Sequence, residues 1–181
     1  MKKNQIFCFS FLLIFFCTNS KAQGYSDGFT GTVGIVHEGV GAHFSYNYFL
    51  DRHDFIEGSI FLTASNHKYL NIKIPYNDFT VNVGYSKNVF YNYRNTFNVN
   101  INGGAVFGYE NFNKGDKSLS NGALILNKPG FIYGAYMGID LDLSVSDNMS
   151  ILLKFNEFYH ANSSLGQFLP YVGLGTRFYF N

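Results

Sequence analysis

The feature that most constrains this chain is a strict two-residue alternation, repeated along its length, in which the polar partner is almost never charged. One stretch reads Phe131, Tyr133, Ala135, Met137, Ile139, Leu141, Leu143 and Val145 on one face. Its other face reads Ile132, Gly134, Tyr136, Gly138, Asp140, Asp142 and Ser144. The same pattern sets Phe97, Val99, Ile101, Gly103, Ala105, Phe107 and Tyr109 against Asn98, Asn100, Asn102, Gly104, Val106 and Gly108. It recurs as Phe79-Val81-Val83-Tyr85 against Thr80-Asn82-Gly84-Ser86, and as Ala42-Phe44-Tyr46-Tyr48 against His43-Ser45-Asn47. A period of two is that of a β-strand with two unlike faces, and helical spacing accounts for none of these segments.

Eight strands are predicted, over 29–37, 42–50, 55–65, 77–87, 96–110, 131–145, 149–159 and 169–180. Tight turns at Asp51–Asp54 and Ser146–Asn148 and a longer one at Tyr91–Asn95 alternate with loops around 66–76, 111–130 and 160–168. A short turn is expected at Gly39-Val40-Gly41. Even strand number, short turns on one side and longer loops on the other are the layout of an all-β, eight-stranded antiparallel up-and-down transmembrane β-barrel of the outer-membrane type.

A soluble barrel would alternate too, so the decision rests on which polar residues are present. A soluble exterior needs roughly a quarter to a third Asp, Glu, Lys and Arg, whereas this chain is 14% charged and 19% aromatic, with 21 Phe and 14 Tyr. Asn, Ser, Thr and Gly suit the interior of a narrow barrel, where small side chains fit around larger ones. The apolar face then meets outer-membrane lipid, with aromatic girdles at both interfaces. Tyr48, Phe55, Tyr85, Phe97, Phe178 and Phe180 are expected at the turn end, and Tyr109, Phe131, Tyr133 and Tyr159 at the loop end. The few inner-face charges, Glu57, Asp140, Asp142, Lys154 and Arg177, are expected to compensate one another as an interior cluster, since buried charges need partners. The alternative for each is a wetted barrel end.

The first 22 residues read as a secretory signal peptide: Lys2 and Lys3, an apolar run from Ile6 to Cys17, then Ser20 and Ala22 at the −3 and −1 positions of a cleavage site before Gln23. The run is too short to span a bilayer, which takes roughly 20 apolar residues. Bulky Phe16 before Cys17 argues against a lipoprotein. Residues 23–181 are then the barrel domain. They hold no cysteine, which excludes thiolate zinc sites and thioredoxin-like redox chemistry. Removal of three lysines from 13 basic residues against 12 acidic ones leaves a net charge of about −2. That balance carries no footprint of direct nucleic-acid binding.

No catalytic centre, cofactor or small-molecule substrate emerges. His43-Phe44-Ser45 resembles the His-x-Ser pair of outer-membrane lipid A deacylases, in which His would activate Ser. Both side chains are expected to point into the barrel, away from acyl chains, and no third orienting acid is fixed by spacing. His160 with Ser163 and Ser164 lies in a loop, where such residues serve solvation. His37, His43, His53, His67 and His160 share no metal-ligand spacing. Asn113–Lys117 has too few acids for a calcium loop. Gly103-Gly104 and Gly173-x-Gly175 sit in strands and open no helix, so they are packing glycines.

A set of motifs lies between 74 and 181. Ile74-Pro75 and Phe79-Thr80 come first, then Gly108-Tyr109-Glu110, Gly115-Asp116-Lys117, Asn121-Gly122-Ala123, Asn127-Lys128 and Phe131-x-Tyr133-Gly134. Ser163-Ser164-x-Gly166-x-Phe168, Gly173-x-Gly175 and a closing Phe-x-Phe-Asn complete it. In order and spacing these resemble the TraO family of conjugative transposons, of the Bacteroides type. The resemblance implies a non-enzymatic outer-membrane accessory or structural component of conjugal transfer, acting with other proteins of the mating apparatus. It supplies no catalytic residues. Gly115, Asp116 and Lys117, in the largest loop, are the candidate partner contact, or else shape a turn on the barrel rim. A lipid-modifying enzyme and a general barrel or adhesin unrelated to conjugation are the other classes open to the sequence.

Overall fold

The fold is described from a computed structural model, for residues 25–69, 72–94, 96–112, 129–163 and 166–181. Eight strands follow one another in chain order: β1 (Asp27–Val36), β2 (Gly39–Phe49), β3 (Phe55–Tyr69), β4 (Ile72–Tyr91), β5 (Phe97–Phe112), β6 (Gly130–Ser146), β7 (Met149–His160) and β8 (Phe168–Phe180). Each pairs antiparallel with its neighbour, and β1 pairs with β8 from Asp27↔Phe180 to Val36↔Tyr171, so the sheet closes into a barrel. Closure leaves no sheet edge along the wall, as a lipid environment requires of a β-structure. The shortest strand has 10 residues, within the roughly 9–11 that a tilted strand needs to span a bilayer. Both described termini lie at one end with the 50–54, 92–96 and 147–148 connections, which we call the turn end; the opposite rim is the loop end.

The alternation sorts the side chains as the sequence predicts. Along β6, Phe131, Tyr133, Met137, Ile139 and Leu143 face outward, while Ile132, Tyr136, Asp140 and Asp142 face the lumen. The outward set forms a continuous apolar belt. Aromatic pairs mark its two rims. At the loop end Tyr109 meets Phe131 edge-on at 5.4 Å and Tyr159 meets Phe168 at 5.2 Å. At the turn end Phe29 stacks on Phe180 at 5.1 Å, and the Tyr85 hydroxyl donates to Asp54 at 2.6 Å. A ring in the apolar belt with its hydroxyl in the polar zone suits the membrane–water boundary.

Three expectations are corrected. Phe55 is no girdle residue: it is fully buried in the lumen, because it shares strand parity with Glu57. The first turn is His37–Glu38, not Gly39–Gly41, and Glu38 takes the left-handed conformation (φ 59°) that the tight hairpin demands. Gly39 and Gly41 belong to β2, paired with Val36 and Gly34. The loop expected around 66–76 is instead a continuation of the β3–β4 hairpin, from Ser65↔Tyr76 to Tyr69↔Ile72. Pro75 lies within this extension, paired with Asn66.

The core is the lumen itself. Towards the loop end Phe61 stacks on Phe158 at 4.5 Å and meets Tyr171 edge-on at 4.9 Å, with Tyr136, Val106, Leu169 and Val36 completing an apolar layer. Gly84 makes this layer possible. A Cβ there would collide with the Tyr136 hydroxyl and the Gly103 carbonyl, so only glycine lets the phenol cross the barrel.

Candidate functional site

Just beneath the aromatic layer, at mid-barrel, the lumen holds a connected set of charges. Lys154 on β7 places Nζ 3.2 Å from Glu57 Oε2 on β3 and 3.1 Å from Asp140 Oδ1 on β6. Arg177 on β8 reaches Asp140 Oδ2 at 3.0 Å through Nη2 and pairs with Asp142 Oδ2 through Nη1. All five side chains are at most 1% exposed. The structure thus brings Glu57, Asp140, Asp142, Lys154 and Arg177 into one network, joined across strands far apart in sequence.

Three carboxylates face two cations, and neutral donors meet part of the remaining acceptor capacity. Asn100 donates to Asp142 and Asn102 to Asp140, each at 3.0 Å. The Tyr136 hydroxyl approaches Glu57 at 3.4 Å. Arg177 Nε donates to Thr30 Oγ1 at 3.0 Å, which also accepts from Asn47 at 2.6 Å. The guanidinium lies 4.6 Å above the Phe55 ring, a cation–π contact strengthened by the absence of competing water. These bonds touch every strand but β4. Sequence reading missed Tyr136, Asn100, Asn102, Thr30 and Phe55 as members. Their inward parity was visible, but which oxygen meets which nitrogen depends on how far the closed barrel is staggered.

His43 and Ser45 both face the lumen and are buried. His43 Nε2 is 3.5 Å from Glu57 Oε1, and Ser45 donates to Asn47 Oδ1 at 3.2 Å instead of to the histidine. Neither reaches the lipid-facing surface. The arrangement sets His43 against Glu57 of the neighbouring strand and Ser45 against Asn47 of its own, and presents no nucleophile–base pair to an acyl chain. Gly115, Asp116 and Lys117 lie outside the described residues.

A second group of polar side chains stands on the loop side of the aromatic layer. Asp78 on β4 is directly opposite Glu110 on β5, and His160 closes β7 beside them. They line a recess of about 80 Å³ together with His37, Tyr76 and Ser163. No spacing in the sequence draws these residues together, since they come from separate strands and loops.

Solved structures similar to this barrel include outer-membrane proteins. A major outer-membrane protein from Thermus thermophilus superposes with a TM-score of 0.60 at 8% identity, over 85% of this chain and 98% of that one. Ail, the attachment invasion locus protein of Yersinia pestis, gives 0.52 at 16% identity, over 86% and 99%. Neisserial surface protein A gives 0.52 at 9% identity, over 89% and 100%. At these identities the likeness is one of fold. No curated protein matches the sequence. The family described as conjugative transposon protein TraO matches residues 29–180, which extends well before the motifs that begin at Ile74. With nearly the whole barrel inside that match, the chain belongs to the conjugative transposon protein TraO family.

Proposed function

We propose that this protein is an outer-membrane, non-enzymatic structural component of a conjugative transfer apparatus. Residues 1–22 direct export and are removed, and residues 23–181 form the membrane-embedded barrel. The observation that carries the reading is the family match over residues 29–180, joined to a closed barrel with an apolar exterior. A charge-laced, aromatic-filled lumen fits a rigid anchor better than a conduit, because an eight-stranded interior is only wide enough for its own side chains. DNA would not pass through it. Its partners are membrane lipid and other proteins of the apparatus, met at the rims, where loops carry function on a rigid scaffold. Gly115, Asp116 and Lys117 are the proposed contact.

In-frame deletion of the gene in a donor strain tests this. Mating frequency should fall by orders of magnitude and return with a plasmid copy, and the protein should fractionate with the outer membrane and show a heat-dependent gel shift. Normal mating by the deletion strain would end the proposal. Mating restored equally by a variant replacing 115–117 would remove the assigned contact alone.

A further inference from the structure

The outward face of the barrel carries one side chain that contact with lipid does not explain. Glu157 lies on β7 between Phe155 and Tyr159 and shares their outward parity. Among the described residues, every other outward-facing charge on a strand stands at or beyond a rim. Asp27 begins β1, and Lys87 lies on the turn side of Tyr85. Glu157 is two residues, or about 7 Å of strand, inside the Tyr159–Phe168 pair that marks the loop-end rim. Its cross-strand neighbours are Met137 on β6 and Pro170 on β8, and neither has a donor on its side chain. Glu157 makes no hydrogen bond or ion pair among the described residues.

A carboxylate set against hydrocarbon has lost water and gained nothing in its place. Ionisable side chains within a membrane are costly and are kept where they find a partner. The mid-barrel acids find theirs in Lys154 and Arg177, whereas Glu157 faces the other side of the wall. Acyl chains offer neither a cation nor a hydrogen-bond donor. A second copy of this chain is no better suited. None of its described outward positions between the rims is Lys or Arg, and a two-fold contact through this face would bring Glu157 towards its own copy. The complement is a basic residue on a different polypeptide.

The wall beside Glu157 has the shape for such a contact. Ala135 pairs with Tyr159, Ala105 with Ala135, and Gly103 with Met137. These outward positions of β5 and β6 bear at most a methyl group, so the surface dips next to the carboxylate. Phe155, Tyr159 and Phe168 stand around it as large exposed side chains. Within a membrane, small side chains let a second backbone approach closely. We propose that this face of β5–β7 docks a membrane-embedded segment of another protein, whose lysine or arginine pairs with Glu157. The inference rests on the barrel being embedded in a membrane and not on its place in conjugation.

Two measurements test it. In the first, vesicle-embedded protein is titrated with urea and the folded fraction is read from unboiled samples. With no partner present, Glu157→Leu removes an unanswered charge from the lipid face and should raise the midpoint. A midpoint unchanged or lowered would put the carboxylate in water or in a bond of the barrel's own, and would overturn the proposal. Failure of the wild type to insert into vesicles would end the membrane reading, and the proposal with it. In the second, Val172→Cys on the neighbouring strand carries a maleimide-linked benzophenone in membranes of the producing cell, residues 23–181 having no other cysteine. An antibody to the chain reports the photo-adducts. An adduct with a different membrane protein is expected, reduced about tenfold or more by Glu157→Leu or Glu157→Lys, the effect of losing a charge-assisted hydrogen bond, and kept by Glu157→Asp. The crosslinked segment should hold a lysine or arginine whose exchange for glutamate restores the adduct to Glu157→Lys. No adduct, an adduct with a second copy alone, equal yields in all variants, or no rescue by the charge exchange would each overturn the proposal.

Discussion

Replacing Lys154 by methionine removes the cation that bridges Glu57 and Asp140 while keeping most of the side-chain volume. Its ammonium lies 3.2 and 3.1 Å from the two carboxylates. At an effective dielectric constant of about 20, each contact is a gross attraction of about 5 kcal/mol. Burying the ammonium costs several kcal/mol in lost hydration, so the net worth of the bridge is much smaller than the sum of the two. What decides the outcome is the partners left behind. Asp140 keeps Arg177, but Glu57 keeps only a 3.4 Å approach from Tyr136 and the 3.5 Å contact with His43. An orphaned buried carboxylate puts the loss at about 3–5 kcal/mol. Urea titration of vesicle-embedded protein measures it, with the folded fraction read from the mobility of unboiled samples. Pairing Lys154→Met with Glu57→Gln should return about 2 kcal/mol of that loss, because residues in one network are not additive. A single variant within about 0.5 kcal/mol of wild type, or a double variant equal to the sum of the singles, would refute the view that these charges hold the lumen together.

Three further outcomes follow from the geometry. Met137, 69% exposed near the middle of β6, faces the bilayer, so Met137→Arg should cost about 2–4 kcal/mol in vesicles, while Ser146→Arg at the turn end should cost far less; equal costs would misplace the belt. Gly84→Ala drives a methyl group into the Tyr136 hydroxyl and the Gly103 carbonyl, and should lower the urea midpoint by the equivalent of about 1–3 kcal/mol. Asp51, in the turn after β2, accepts backbone N–H bonds from Asp54 and His53 at 2.8 Å each, which hold its carboxyl below the ordinary 3.8. Because the folded value is the lower one, its contribution is present above about pH 4 and is lost as pH falls through the folded value. The stability gap between wild type and Asp51→Asn should therefore narrow in acid, and a gap that widens there would reverse the assignment.

Much of this fold was legible because a period of two is a local signal. Each residue's face follows from its neighbours, and the scarcity of charge on the inner faces told membrane from water. Parity also places Glu57, Asp140, Asp142, Lys154 and Arg177 in the lumen, but it does not rank their partners. The failures are where residue type and parity disagree. Phe55 looks like a girdle aromatic by type and is interior by parity. Glu38 gave no sign of a positive φ, since glycines on either side of Val40 were the better turn formers. The recess of Asp78, Glu110 and His160 had no local signature, because it exists only once β7 is brought round to β4 and β5.

These placements bear on where a barrel of this kind can carry its function. The wall presents an apolar face outward and a close-packed lumen inward. The lumen is itself divided, with ion pairs at mid-height and stacked aromatics above them. Side chains in those two layers are buried and packed chiefly on one another, so their sequence is constrained by folding. The loop-end rim is different. There the ladder continues past the aromatic layer, the β3–β4 hairpin projects beyond the β1–β2 turn, and buried acceptors border an open cavity. A rigid closed wall below gives those groups fixed positions, as expected of a scaffold whose rim carries its variable features.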